Sequence, residues 1–195
     1  LAGFLPSLVA LASDEARDND NASPLHTIYL SPLKALATDI ARNLTEPVTE
    51  MGLPIRIETR TGDTPANRRA RQRENPPHIL LTTPESLSVL LSLPDAPTFF
   101  GGLRCVVMDE VHAMAGTKRG DQLALCVARL GTLAPSARRV GLSATVAHPD
   151  AIKAFVGASR VIAVHDGAPP ALSMTLPAGR LSWSGHMGLE AAPQV

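Results

Sequence analysis

The chain has 195 residues, of which 45% are hydrophobic and 18% charged, and its 18 basic residues balance 18 acidic ones. This length supports one domain with a single hydrophobic core, and the high apolar content excludes an intrinsically disordered protein. Zero net charge excludes a protein that holds polyanions through one large positive field, although local basic patches are still compatible with it.

The first apolar stretch, residues 1–13, contains 13 uncharged residues and is too short to span a bilayer. No basic segment precedes it and Pro6 interrupts it, so we do not interpret it as a signal peptide. The two cysteines, Cys105 and Cys126, lack CxxC spacing, which favours reduced buried thiols over a metal site or a disulfide. We therefore expect a cytoplasmic protein with no membrane partner.

Short runs of β-forming residues alternate with helical patterns along the rest of the chain. Several of these runs are apolar throughout, as strands covered on both faces of a sheet must be. The predicted strands are residues 27–30, 55–60, 79–82, 105–108, 139–142 and 160–164. The alternation of strand and helix predicts an α/β fold with a parallel sheet flanked by helices.

Apolar residues at helical spacing mark three of the intervening helices. Gly131 follows the last of these stripes and is predicted as its C-terminal cap. From Gly167 onward the periodicity fades and Pro, Gly and Ser accumulate, so we divide the chain into a domain at residues 1–166 and a linker or frayed end at residues 167–195. The stripes are Leu33, Leu36, Ile40 and Leu44; Leu87, Leu90 and Leu91; and Leu123, Cys126, Val127 and Leu130.

Three junctions between a strand and a helix carry a hydroxyl residue followed by proline. The hydroxyl suits the N-cap of a helix, and proline suits the first helical position because its missing N–H needs no partner there. Helix starts at the carboxyl edge of a parallel sheet favour anions such as phosphates. Helix initiation alone explains one such junction, whereas three at one edge favour a phosphate-binding surface. The junctions are Ser31-Pro32, Thr64-Pro65 and Thr83-Pro84.

Two carboxylates, Asp109 and Glu110, directly follow the apolar strand predicted at residues 105–108. Because side chains alternate along a strand, the two point in different directions. One can hold a hydrated Mg²⁺ ion while the other faces an attacking water, as in the Walker B arrangement of nucleotide hydrolases. A solvated acidic turn is the alternative, and His112, two residues beyond Glu110, favours the catalytic interpretation.

A compact turn of small residues, Ser143, Ala144 and Thr145, follows the strand predicted at residues 139–142. Its two hydroxyls can hydrogen-bond both the acidic strand end and a neighbouring segment. The tripeptide is common by itself, but downstream of Asp-Glu-Val-His in an α/β pattern it is a specific signal.

These motifs, in this order, resemble those of the first RecA-like domain of superfamily 2 DEAD/DEAH-box-type helicases. The residues of these motifs are similar to those of the large helicase-related (Lhr-type) family, and the resemblance runs from Leu1 to about Val164. YLSPLKALATDI resembles motif Ia, TRTGDTPANRRAR and LLTTPESLSVLL resemble motif Ib and its neighbourhood, VVMDEVHAM resembles motif II, and GLSATV resembles motif III. The resemblance implies a RecA-like P-loop NTPase fold.

The resemblance also implies roles, in an ATP- and Mg²⁺-dependent helicase, for the acidic motif that follows residues 105–108 and for the Ser-Ala-Thr turn. Asp109 would ligate Mg²⁺ through water, and Glu110 would activate the water that attacks the γ-phosphate. Residues of motifs II and III would couple the nucleotide state to nucleic acid and to a second RecA-like domain of the same protein. These coupling residues are His112, Ser143, Ala144 and Thr145.

A nucleic-acid strand, DNA more than RNA, is the partner that the resemblance implies for the remaining motifs. Its phosphates would meet helix N-termini and one cation, contacts that carry no sequence information. The residues along this strand would be Ser31, Pro32, Lys34, Thr61, Gly62, Thr83, Pro84 and Glu85. The cluster Arg68, Arg69, Arg71 and Arg73 either extends the same track or forms a solvated helix face.

A phosphate-binding loop, GxxxxGK[ST], is missing, since none of the three lysines, Lys34, Lys118 and Lys153, follows a glycine. The segment LAGFLPSLVAL resembles the helix directly after that loop, so we expect a chain cut just after it that lacks the P-loop strand and is inactive alone. The alternatives are an inert nucleic-acid-binding module, an RNA helicase and an unrelated Mg²⁺-dependent hydrolase.

Overall fold

The computed structural model describes residues 3–13, 24–144, 146 and 148–163 of the chain. Leu1–Val161 forms one compact unit, and Ile162–Val195 is a separate unit that lies almost wholly outside the described residues. The domain boundary at residue 166 therefore stays a prediction. Within the described ranges, no helix combines the length and the apolar character needed to cross a membrane.

The described residues build a parallel sheet with helices on both faces, which confirms the predicted α/β fold. The strand order is β2-β3-β1-β4-β5. The strands are β1 Thr27–Leu30, β2 Ile57–Arg60, β3 Ile79–Thr82, β4 Cys105–Met108 and β5 Arg138–Gly141. The helices are α1 Leu5–Ala12, α2 Lys34–Glu50, α3 Ala66–Glu74, α4 Pro84–Leu91, α5 Ala96–Phe100, α6 Val111–Met114, α7 Lys118–Leu133 and α8 Pro149–Val156.

Two hydrophobic clusters cover the two faces of the sheet. Alternate residues of the central strands point to opposite faces, so Leu30 and Met108 join one cluster while Tyr29 and Val107 join the other. The first cluster includes residues of α4, α5 and α7, and the second includes residues of α1 and α2. Strands β1, β3 and β4 are buried at every position, which explains their predominantly apolar sequences.

The register of the sheet aligns the carboxyl ends of all five described strands. Leu30 pairs with Thr82 on one side and Met108 on the other, and the outer strands continue the row through Arg60 and Gly141. The residues that follow each strand therefore meet at one edge of the sheet. Every predicted site residue that the structure describes lies at or near this edge.

Three strand predictions need correction. The strand predicted at 55–60 begins at Ile57, and the one predicted at 139–142 is shifted by one residue. Residues 160–163 form no strand, and residue 164 lies outside the described residues. Ile162 is 79% exposed. An apolar run becomes a strand only where a neighbour offers backbone partners, and residues 160–163 are not part of the five-stranded sheet.

The predicted apolar stripe of α2 is partly wrong. Leu33 precedes the helix as its N-cap and is 60% exposed, and Leu36 and Ile40 are half-buried. Leu44 is buried as predicted, together with Ala37 and Val48, which the prediction omitted. A stripe of large apolar residues does not include Ala37, whose small side chain allows α2 to pack close to the sheet. The stripes predicted for α4 and α7 are buried as expected.

Gly131 is not the C-terminal cap of α7, because the helix continues to Leu133 and is capped at Ala134. A Cβ atom at Gly131 would lie 2.7 Å from Nη2 of Arg139. Gly131 therefore lies within the helix and leaves space on its surface for the Arg139 guanidinium group.

Only one of the three hydroxyl-proline junctions caps its helix as predicted. Thr83 precedes Pro84, and its hydroxyl accepts a hydrogen bond from the Ser86 N–H at 3.5 Å. Ser31 is wrong as a cap, since α2 begins three residues later and the Ser31 hydroxyl closes a local turn with the Leu33 backbone. The prediction for Thr64 is wrong as well, because Pro65 occupies the N-cap position of α3.

Candidate functional site

Asp109 is fixed at the end of β4 by its backbone and by both carboxylate oxygens. Its N–H donates to the carbonyl of Leu30 on β1 at 2.9 Å. Its Oδ1 accepts from the Glu110 N–H at 2.8 Å, and its Oδ2 accepts from the Tyr29 hydroxyl. The carboxylate is half-buried at the carboxyl edge of the sheet and has one protein donor on each oxygen.

Tyr29 is a site residue that the sequence patterns do not predict, since they place it only within a strand. Burial raises the pKa of its hydroxyl well above the usual value, and the hydrogen bond to Asp109 raises this pKa further. The hydroxyl therefore stays a hydrogen-bond donor. The signal was present in the sequence, because a tyrosine in an otherwise apolar buried strand must find a partner for its hydroxyl.

Glu110 has a left-handed backbone, with φ 50° and ψ 41°. It is the one non-glycine residue with positive φ in the part of the chain that the structure describes. This conformation is strained by roughly 1–2 kcal/mol for a residue with a side chain. Such strain persists where the surrounding fold requires it, and it is concentrated at functional sites.

His112 links the acidic motif to the Ser-Ala-Thr turn. Its Nδ1 lies 2.8 Å from the Ser143 hydroxyl, and its Nε2 lies 3.3 Å from Oε2 of Glu110. The backbone supports this contact, because Val111 donates its N–H to the Leu142 carbonyl at 3.1 Å. The imidazole thus bridges the ends of β4 and β5. Ala144 is exposed beside this bridge, and Thr145 lies outside the described residues.

The surroundings of Asp109 fit a hydrated Mg²⁺ ion held through water. An ionised carboxylate has about four lone-pair positions, and the two protein donors occupy only two of them. Mg²⁺ keeps several waters and usually takes one or two carboxylates together with substrate phosphates. No cluster of three or more His, Cys, Asp or Glu side chains that could cage a metal is found among the described residues.

The phosphate-binding half of a nucleotide site has no counterpart in this sequence. A P-loop cradles the β- and γ-phosphates with backbone N–H groups and a lysine. None of the three lysines of the chain follows a glycine, so no GxxxxGK[ST] motif is present. The carboxylate of Asp109 therefore fits a hydrated metal ion, whereas the sequence contains no P-loop motif for a triphosphate.

A cation, Lys34, lies at the opposite half of the same edge. Its Nζ contacts both carboxylate oxygens of Asp63 at 2.9 Å, and the two side chains are 53% and 76% exposed. The same Nζ lies over Gly62, 3.5 Å from the position of an added Cβ. An ion pair this exposed contributes about 0–1 kcal/mol, so a phosphate can compete for the lysine.

The turn after β2 is closed by Thr64 rather than open for a ligand. The Thr61 N–H donates to the Thr64 hydroxyl at 2.9 Å, and the Thr64 N–H donates to the Thr61 carbonyl at 3.1 Å. Arg69 of α3 donates to the carbonyl of Gly62 at 2.5 Å. These contacts hold Thr61 and Gly62 in place beside Lys34.

The predicted nucleic-acid residues divide into exposed and buried groups. Lys34, Gly62 and Glu85 are exposed and Thr61 is half-buried, whereas Ser31, Pro32, Thr83 and Pro84 are buried. The buried side chains shape the edge of the sheet and present little surface of their own.

Glu85 forms a two-pronged ion pair with Arg119 of α7. Arg119 Nε lies 2.5 Å from Oε1 and Nη2 lies 2.9 Å from Oε2. Partial burial opposes ionisation of Glu85, but the hydrogen bonds from Arg119 outweigh it and leave the pKa of Glu85 below its usual value. The pair connects the start of α4 with the start of α7.

The four arginines of α3 are engaged within the chain. Arg68 and Arg71 both contact Oε2 of Glu58, at 3.3 and 2.9 Å, and Arg73 contacts Asp95 at 2.9 Å. Together with the contact of Arg69 to Gly62, this favours a structural helix face over an extended phosphate track.

Comparisons with known proteins agree on one family. A family model described as DEAD/DEAH box helicase matches residues 1–153. The Lhr helicase/uracil glycosylase of Escherichia coli (strain K12) is 42% identical over 186 residues, which are 88% of this chain and 12% of that protein. The ATP-dependent helicase Lhr-Core of Methanothermobacter thermautotrophicus is 43% identical over 158 residues, which are 76% of this chain and 18% of that protein.

A solved structure shows the same fold. The structure of Mycobacterium smegmatis helicase Lhr bound to ssDNA and AMP-PNP matches with a TM-score of 0.69 at 42% identity, covering 80% of this chain and 20% of that one. The chain thus spans about a tenth to a fifth of the length of these relatives.

Proposed function

Because the chain belongs to the DEAD/DEAH box helicase family, we propose that it forms part of the first RecA-like domain of an Lhr-type, ATP-dependent helicase. The longer protein that would carry it is hereafter the parent helicase. The observation that carries the proposal is the His112 bridge, which joins the strained Glu110 to Ser143 at the carboxyl edge of the sheet. A structural acidic turn requires neither the strain nor the bridge.

Asp109 and Glu110 divide the chemistry between them. Asp109 would hold a hydrated Mg²⁺ ion, which neutralises charge on the substrate phosphates. Glu110 would orient a water for attack on the terminal phosphate and accept its proton. The Glu110 carboxylate contacts His112, whereas the Asp109 carboxylate accepts from Tyr29 and from the Glu110 N–H, so the proposed base and the proposed metal ligand have different partners. The site would work with a phosphate loop and a second RecA-like domain supplied by the rest of the parent helicase.

His112 would couple hydrolysis to movement. Any change in the position of Glu110 on hydrolysis reaches Ser143 through one imidazole ring. The Ser143–Thr145 turn would transmit it to the bound nucleic acid and to the second RecA-like domain. The two contacts of the imidazole, one on each strand end, support this role.

Single-stranded DNA is the nucleic acid that we propose for the track past Lys34. The Lhr helicase of Mycobacterium smegmatis, 42% identical to this chain, is described as bound to ssDNA. Exposed Lys34 provides a cation for phosphates and reads no base, and the missing side chain of Gly62 leaves room beside its Nζ atom. RNA and an inert binding module are the alternatives that the tests separate.

The proposed function is tested by ATP hydrolysis of the parent helicase with and without single-stranded DNA. We expect Mg²⁺-dependent hydrolysis that DNA stimulates, and no turnover above background for the 195-residue chain alone, because it lacks a phosphate loop. Stimulation by RNA and not by DNA would support the RNA helicase instead. A parent without hydrolysis in either case would overturn the enzyme assignment.

Lys34→Ala should weaken DNA binding by the parent helicase equally for all sequences. One phosphate contact on a single strand contributes roughly 0.7 to the slope of log K against log salt, so the slope should fall by about that amount. Fluorescence anisotropy with labelled oligonucleotides at several salt concentrations measures both quantities.

Asp63→Asn is the matched control with the opposite sign. It frees Lys34 from its carboxylate partner and retains the shape of the side chain. Binding should therefore tighten, by about threefold if the exposed pair contributes somewhat under 1 kcal/mol. Lys34 would be excluded from the phosphate track if Lys34→Ala weakened DNA binding only for particular base sequences. The same would follow if neither variant changed the affinity for DNA.

A further inference from the structure

Tyr29 brings a polar group from the buried core to the catalytic edge. Its ring is 0% exposed and packs against Phe4 with 5.2 Å between the ring centroids. It is the single tyrosine of the chain, in a strand buried at every position. The core therefore fixes the orientation of the ring, and with it the position of the hydroxyl.

The hydroxyl reaches Asp109 because of the sheet register. Tyr29 pairs with Val107, two residues before Asp109, and side chains on a strand lean along its direction. The next residue of β1, Leu30, accepts the backbone N–H of Asp109 at 2.9 Å. Two consecutive residues of β1 thus anchor Asp109, one through the main chain and one through the side chain.

We propose that Tyr29 is a positioning residue, whose hydroxyl fixes the Asp109 carboxylate for the hydrated metal ion. The Glu110 N–H holds Oδ1 at 2.8 Å, but one hydrogen bond leaves the carboxylate free to turn about it. The second hydrogen bond, on Oδ2, sets the plane and leaves the remaining lone pairs toward the site. The inference rests on the proposed function, in which Asp109 binds Mg²⁺.

A purely structural role makes a different prediction from a positioning role. Tyr29→Phe removes the hydroxyl and keeps the ring, so it leaves the packing against Phe4 nearly unchanged. Phe4→Leu does the reverse, since it removes the ring contact and keeps the hydroxyl. Removing a partner that orients a metal ligand typically lowers metal affinity or activity roughly 10–100-fold.

The test uses the parent helicase with AMP-PNP and Mn²⁺ in place of Mg²⁺. Free Mn²⁺ is measured by electron paramagnetic resonance, and kcat for ATP hydrolysis is measured separately with Mg²⁺. We expect Tyr29→Phe to weaken Mn²⁺ binding and to lower kcat, each roughly tenfold. Phe4→Leu should lower Mn²⁺ affinity far less than Tyr29→Phe does, because the hydroxyl and the rest of the core around the ring remain. In the Asp109→Asn background, Tyr29→Phe should have no further effect on Mn²⁺ affinity, because the carboxylate that Tyr29 would position has been removed.

Each outcome separates the two claims. The positioning role would be overturned if Tyr29→Phe bound Mn²⁺ as tightly as the wild type does. It would also be overturned if Tyr29→Phe lowered Mn²⁺ affinity equally with Asp109 present and in the Asp109→Asn background. The helicase assignment would stand in both cases. An unmodified parent that hydrolyses no ATP would overturn the proposed function, and this inference with it.

Discussion

Glu110→Gln should abolish ATP hydrolysis by the parent helicase while ATP binding persists. Glutamine keeps the size of the side chain and can keep its contact with His112, but it cannot accept a proton from water. A general base contributes typically about 10²–10⁴-fold to the rate, so kcat should fall within that range. Asp109 remains in place for the metal, and the dissociation constant for ATP should change less than about threefold.

Asp109→Asn is the matched comparison. It removes the carboxylate that accepts from Tyr29 and Glu110, so it should weaken metal-dependent nucleotide binding as well as hydrolysis. Rapid-quench kinetics give kcat, and titration with a fluorescent ATP analogue gives the affinity. If Glu110→Gln loses affinity in proportion to its loss of rate, Glu110 binds the nucleotide and is not the base.

Local sequence predicted the strands that the fold buries completely. Strands β1, β3 and β4 lie where the predominantly apolar runs are, because a strand covered on both faces favours apolar residues on both sides. Strand β5 is only partly buried, and its bounds were wrong by one residue. The run predicted at 160–164 is mostly apolar as well, but its described part is not a strand of the sheet.

The contacts that define the site depend on residues distant in sequence, which no local pattern encodes. Tyr29 and Asp109 are 80 residues apart, and Lys34 and Asp63 are 29 apart. The sequence identified Asp109 because two carboxylates directly follow an apolar strand, whereas Lys34 was assigned only through the resemblance of its segment to helicase motif Ia. Their partners follow only from the strand order and register, which bring distant residues together.

Gly120→Ala should destabilise the domain more than other glycine substitutions in the described residues. Gly120 is buried in the first turn of α7, and an added Cβ would lie 2.1 Å from the carbonyl oxygen of Met114. The obstructing atom belongs to the backbone at the end of α6 and cannot move aside as a flexible side chain can. We expect the free energy of unfolding to fall by about 3 kcal/mol, the upper end for overpacking.

Gly52→Ala separates this clash from backbone strain. Gly52 has φ +64°, and no atom lies within 4 Å of an added Cβ, so only the left-handed strain of about 1 kcal/mol applies. Urea unfolding followed by circular dichroism compares the two variants. A smaller loss for Gly120→Ala than for Gly52→Ala would mean that α6 and α7 can separate without penalty. Because α6 carries His112, such freedom would also contradict a rigid bridge between Glu110 and Ser143.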